Sequence, residues 1–86
     1  MNNKGGFYVI EHANQATGDD IVNEVQAIEG ADATGTTIEQ WADGLGYVML
    51  MFPATWTEEQ IVERLDDYKK RPGVQSVTYD AHDSWE

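Results

Sequence analysis

The feature that most constrains the fold is a repeat at about half the length of the chain. Tyr8-Val9 returns as Tyr47-Val48, 39 residues on, and Ile21-Val22 returns as Ile61-Val62, 40 residues on. In each half the first pair lies in an aromatic and β-branched run, which reads as a strand. The second pair lies in an apolar stripe with helical spacing. Each half then closes on a further run of strand composition. At 86 residues the chain is one domain's worth, so the expected order is β-α-β-β-α-β.

The boundaries follow from local chemistry. Phe7–His12 is the first strand, behind Gly5-Gly6. Thr17-Gly18-Asp19-Asp20 has the character of a helix start, with its acids near the positive end of the dipole. Ile21, Val22, Val25 and Ile28 form the apolar stripe, and Gly30 stops the helix. Residues 34–41 are rich in Thr, Ile and Trp and read as the second strand. Asp43-Gly44 with Gly46 makes the turn, residues 47–52 form the third strand of a hairpin, and Pro53 ends it. Thr57 followed by Glu58-Glu59-Gln60 is a capping box. The helix it opens carries Ile61, Val62, Leu65 and Tyr68, with Lys69-Lys70-Arg71 at its negative end and Pro72-Gly73 beyond. Residues 74–81 are the last strand. Right-handed crossovers fold this order into an α+β, ferredoxin-like plait. It is a four-stranded antiparallel sheet of order 4-1-3-2 with both helices on one face. Residues 1–86 form a single domain, with 1–6 expected as a flexible N-terminus and 83–86 as a tail.

The third strand is apolar on both sides. Tyr47, Met49 and Met51 alternate with Val48, Leu50 and Phe52, whereas a sheet with one solvated face normally alternates apolar and polar residues. The open sheet face is therefore expected to be covered by a partner, by a second copy in a homodimer, or by a chain terminus carrying Trp85; the plainer alternative is a core strand whose extra face is covered within the protein. Met packs adaptably and is common where varied partners dock.

Charge says what such a partner would be. Sixteen Asp and Glu stand against five Lys and Arg, for a net charge of −11. Affinity for a phosphate backbone comes from Lys and Arg displacing counterions, so direct nucleic-acid binding is excluded even though aromatic residues lie on a plait sheet. The excess attracts basic partners, although a solubilising surface or a saline habitat would also produce it. No cysteine is present, which removes disulfides, thiolate metal sites and a cysteine nucleophile. Neither a membrane-spanning apolar run nor a secretory signal is found, and the expected location is cytoplasmic.

Constellations for catalysis are thin. His12 and His82 are the only histidines, and the plait places them at distant strand ends. Asp80-x-His82-Asp83 alone is a weak ligand set. Ser76 and Ser84 have no oriented base, and Gly44-Leu45-Gly46 precedes no helix, so it is no phosphate loop. No enzyme activity, cofactor or metal is expected.

Several features give the chain a resemblance to the NapD family of small cytoplasmic chaperones, which bind the twin-arginine signal peptide of a periplasmic nitrate reductase before export. They are an apolar first strand, a first helix closing on Ile28-Glu29-Gly30, a third strand opening with Gly46, and the ending Gly73-Val74-x-x-Val77 with His82 and an acidic close to Glu86. The resemblance implies a plait that binds a basic and then apolar peptide. Glu11, Glu39 and Asp80 would form its acidic rim and Tyr47, Met49 and Met51 its apolar contacts. Composition also resembles small acidic phage-encoded inhibitors that mimic nucleic acid, of the anti-CRISPR or anti-restriction type. In that alternative Asp19, Asp20 and Glu24 on the first helix, and Glu58, Glu59, Glu63, Asp66 and Asp67 on the second, stand in for phosphates.

Overall fold

The computed structural model describes residues 7–80. Its elements are β1 (Phe7–His12), α1 (Gln15–Gln26), β2 (Asp32–Gly35), a short 3-10 helix (Ile38–Gln40), β3 (Gly46–Met51), α2 (Glu58–Lys69) and β4 (Val74–Asp80). The four strands form one antiparallel sheet of order β2-β3-β1-β4. Read from the opposite edge, this is the expected 4-1-3-2, so the fold is the ferredoxin-like α+β plait. Ala81, placed in the last strand by the sequence, lies outside the described residues, as do His82 and Trp85.

Helix α1 and strand β2 differ most from expectation, and β3, expected at 47–52, is Gly46–Met51. Helix α1 begins at Gln15, because Asn14 rather than Thr17 is the cap: its backbone is extended and its side chain accepts the Thr17 amide at 3.2 Å. Thr17 and Gly18 are buried inside the helix, which leaves Asp19 and Asp20 beyond its first turn. The helix frays through Ala27, and Gly30, at φ +89°, turns the chain toward β2.

The second strand is also shorter and earlier than the predicted 34–41. Past Gly35 the Thr36 amide still bonds the Tyr47 carbonyl at 2.9 Å, and the Thr36 hydroxyl accepts the Tyr47 amide at 3.0 Å. The chain then leaves the ladder. The Gln15 side chain on α1 accepts the Ile38 amide at 2.8 Å, which holds this stretch as a 3-10 turn rather than a strand. The hairpin of the sequence reading is thus a pairing of β2 with β3 across a long loop.

Helix α2 starts as its sequence dictates. The Thr57 hydroxyl accepts the Gln60 amide at 3.2 Å, and the Gln60 side chain accepts the Thr57 amide at 2.7 Å. Its expected stripe is split by packing: Ile61 and Tyr68 are buried, Leu65 is half-buried, and Val62 is 51% exposed.

The core lies between the sheet and the helices. Ile10, Ala33, Val48, Leu50 and Phe52 pack against Ile21, Val25, Ile61 and Tyr68. Each such aliphatic or aromatic side chain contributes on the order of 1.5–3 kcal/mol by leaving water. Around the rim, Phe52 stacks on Trp56 at a centroid distance of 4.9 Å, and the Arg64 guanidinium lies 5.5 Å from the centre of the Trp56 ring. Arg71, just past α2, clamps the two helices. Both its terminal nitrogens bond the Glu24 carboxylate of α1 at 3.0 Å, and one also reaches Asp67 at 2.7 Å. That fork geometry suits guanidinium specifically.

Candidate functional site

Strand parity decides what each face carries. Ile10, His12, Val48 and Leu50 point to the helices, so Phe7, Val9, Glu11, Tyr47, Met49 and Met51 belong to the outer face of the two central strands. The register sets them in three rows: Phe7 opposite Met51, Val9 opposite Met49, and Glu11 opposite Tyr47. Edge strands extend each row, with Asp32 and Thr34 on β2 opposite Met51 and Met49, and Asp80, Thr78 and Ser76 on β4 opposite Phe7, Val9 and Glu11. Met51 is 41% exposed and none of these outer-face residues joins the core cluster. Among the described residues, β3 thus sends Val48 and Leu50 into the core and Tyr47, Met49 and Met51 away from it.

The structure brings Glu11, Tyr47, Met49 and Met51 onto one surface, as the sequence suggested. Asp80 joins them by register but at the opposite end from Glu11. Glu39 does not lie on the sheet: it is exposed on the 3-10 helix of the β2–β3 loop. Residues the sequence reading passed over complete the surface. Val9 was recoverable from parity once β1 was aligned with β3. Trp41 is not, because the sequence reads 34–41 as a strand whereas the structure has Trp41 in the loop after the 3-10 helix. It stands in the loop, 50% exposed, its indole perpendicular to the Tyr47 ring with the ring centroids 6.5 Å apart. The Tyr47 hydroxyl donates to the Asp43 carboxylate at 2.5 Å, and that carboxylate also accepts the Leu45 amide at 2.9 Å. The bond to Asp43, reinforced by its charge and that of Glu11, pushes the Tyr47 phenol up to about 12. The same bonds hold the Asp43 carboxyl below its ordinary value. This end of the face is a region of negative potential with two aromatic rings in it.

The inner face holds an unusual group in His12. Its side chain is fully buried, and neither ring nitrogen has a hydrogen-bond partner. It lies in a slot that exists only because Gly18 of α1 and Gly46 of β3 have no side chain: a Cβ at either position would overlap the imidazole. A register shift between Glu11 and His12 sets His12 opposite Val74 on β4. Burial pushes the imidazole below its ordinary value, while the Asp19 carboxylate and the Asn14 backbone pull the other way. The sequence reading gives His12 no role beyond being one of two histidines at distant strand ends, and the other, His82, lies outside the described residues. Among the described residues no group of three or more His, Asp or Glu side chains could hold a metal. The signal that was available is parity, since Tyr8, Ile10 and His12 alternate onto one face.

The helix acids are less uniform than their sequence suggests. Asp19, Asp20, Glu58, Glu59, Glu63 and Asp66 are exposed. Glu24 and Asp67 both pair with Arg71, whose single positive charge offsets one of their two negative charges. Two shallow grooves border α2. One of about 330 Å³ is lined by Trp56, Gln60, Glu63, Arg64 and Asp67. The other, of about 180 Å³, lies between α2 and the sheet, among Tyr8, Val62, Leu65 and Val77. Among the described residues no helix is long and apolar enough to cross a membrane.

No family model, no curated protein and no solved structure matches this chain.

Proposed function

We propose that this chain is a non-catalytic, cytoplasmic binding protein that captures a basic and partly apolar protein or peptide on the outer face of its sheet, as a signal-peptide chaperone does. One observation carries the reading. The central strands present Val9, Met49 and Met51 away from the core, with Glu11, Tyr47 and Asp43 beside them. Contiguous apolar surface of this kind marks contact sites, and the surrounding charge fits a cationic partner while repelling phosphates. Isothermal titration with a synthetic signal peptide containing an Arg-Arg pair tests it. Heat that saturates at micromolar peptide, and is weakened by Met51→Asp, supports the proposal; no heat at high micromolar peptide refutes it.

The rival reading, a phage-encoded nucleic-acid mimic, draws on the exposed carboxylates Glu58, Glu59, Glu63 and Asp66 of α2. It is weakened by the engagement of Glu24 and Asp67 with Arg71. Salt separates the two. A mimic loses binding steeply as ionic strength rises, whereas a peptide held on the sheet keeps its apolar part.

A further inference from the structure

We infer that the outer face is read in one direction, with a guanidinium group of the partner docking at the Glu11–Tyr47–Asp43–Trp41 corner and apolar side chains of the same segment lying over Val9, Met49 and Met51. This rests on the proposal above that a basic peptide occupies the face.

The two ends of the face differ in chemistry. At one end the central-strand row is Glu11 opposite Tyr47, backed by Asp43 and Trp41 from the loop. Neither the Glu11 carboxylate nor the Trp41 indole nitrogen has a hydrogen bond or ion pair among the described residues. At the other end the central-strand row is Phe7 opposite Met51, and among the described residues the acids of that row stand on the edge strands, Asp32 and, by register, Asp80. The Asp32 carboxylate is already engaged, accepting the Ala33 amide at 2.9 Å.

A planar cation suits the first end for two separable reasons. Carboxylates match its fork of donors, and in a perpendicular indole–phenol pair with a half-exposed indole the two rings leave aromatic surface over which a guanidinium stacks. Tyr47 also reports on the site: its phenol is held at about 12 chiefly by the hydrogen bond it donates to Asp43, with the charges of Asp43 and Glu11 adding to it, and a cation bound to those carboxylates lowers it.

The register sets a spacing. From Glu11 to the Val9–Met49 row is two residues, about 7 Å, and to the Phe7–Met51 row four residues, about 14 Å. The partner therefore carries its cation two to four residues from its apolar anchors if extended, or about nine residues from the farther row if helical.

The probe is a twelve-residue peptide with an Arg pair at one end and a Leu-rich remainder, together with the same peptide carrying citrulline for arginine. Titrations are followed by Trp fluorescence and by methyl spectra of Met49 and Met51. Glu11→Gln and Trp41→Ala are each expected to weaken the Arg peptide about tenfold, and the citrulline peptide less than twofold. Bound Arg peptide is expected to move the Tyr47 absorbance titration down from about 12. A nitroxide at the arginine end is expected to broaden the Trp41 indole signal, and one at the far end the Met51 methyl.

Failure of the orientation and failure of the binding reading look different. If both peptides perturb Met49 and Met51 but the two nitroxides give the reversed pattern, or if Glu11→Gln weakens both peptides equally, the orientation is overturned and the face remains a peptide site. If neither peptide binds, or if sedimentation shows a second copy occupying the face, the binding reading itself is overturned.

Discussion

His12 makes the fold acid-sensitive in a way that can be separated from its large carboxylate charge. The imidazole is fully buried without a partner, and its folded-state pKa lies below the ordinary value of 6.5. As pH falls through 6.5 the unfolded chain takes up a proton that the folded chain does not. Stability contributed by the neutral ring is thus complete above pH 6.5 and is lost below it, down to the depressed folded value. Whatever the depressed value, the loss from this one group between pH 6.5 and 5.0 is bounded at about 2 kcal/mol. That is a sizeable share of the roughly 4–13 kcal/mol expected for a domain of this size, and it shifts Tm by about 10 °C. Carboxylate protonation over the same range relieves self-repulsion, so the measurement must be a difference. Urea unfolding of the wild type and of His12→Leu and His12→Phe, at pH 7.5, 6.5, 5.5 and 5.0, isolates the histidine. Wild type is expected to lose up to about 2 kcal/mol relative to either variant between pH 7.5 and 5.0. Parallel pH curves would falsify the reasoning. Should neither variant fold, the wild-type imidazole proton resonances decide: a His12 titrating at or above 6.5 refutes a buried, unpartnered ring.

Three further outcomes are expected. Gly18→Ala and Gly46→Ala should each destabilise by about 1–3 kcal/mol through overlap with the imidazole, although alanine in a helix ordinarily gains about 1 kcal/mol over glycine. Combining either with His12→Ala should recover part of the loss in a double-mutant cycle. Arg71→Ala should cost about 1 kcal/mol in chemical denaturation at low salt and less at 1 M salt, with Arg71→Lys recovering little because an ammonium cannot span both Glu24 oxygens. Thr57→Ala should cost about 1 kcal/mol by removing the capping box, read as a lower denaturation midpoint with unchanged slope.

The plait was legible because its determinants are local and repeated. The apolar stripe of α2, the reciprocal bonds of Thr57 and Gln60, and the aromatic strands depend on neighbours a few residues away. The double-sided apolar pattern of β3 likewise marks an apolar outer face from strand parity alone. What local patterns missed was set by distant groups. Asn14 outcompeted Thr17 as the cap because Thr17 and Gly18 are needed against the sheet. The Gln15 side chain turned a predicted strand at Ile38 into a 3-10 turn, and so carried Trp41 into the loop beside Tyr47.

The sequence by itself determined the order of elements, the parity of the central strands and the sign of the charge, since periodicity and composition are properties of the chain alone. Only the tertiary structure decided which charges are spent on holding the fold, as Glu24 and Asp67 are on Arg71, and which side chains are sealed away, as His12 is between two glycines. Those depend on residues from separate elements meeting at a few ångströms, where desolvation and pairing set the energy of a charge and where sequence separation counts for nothing.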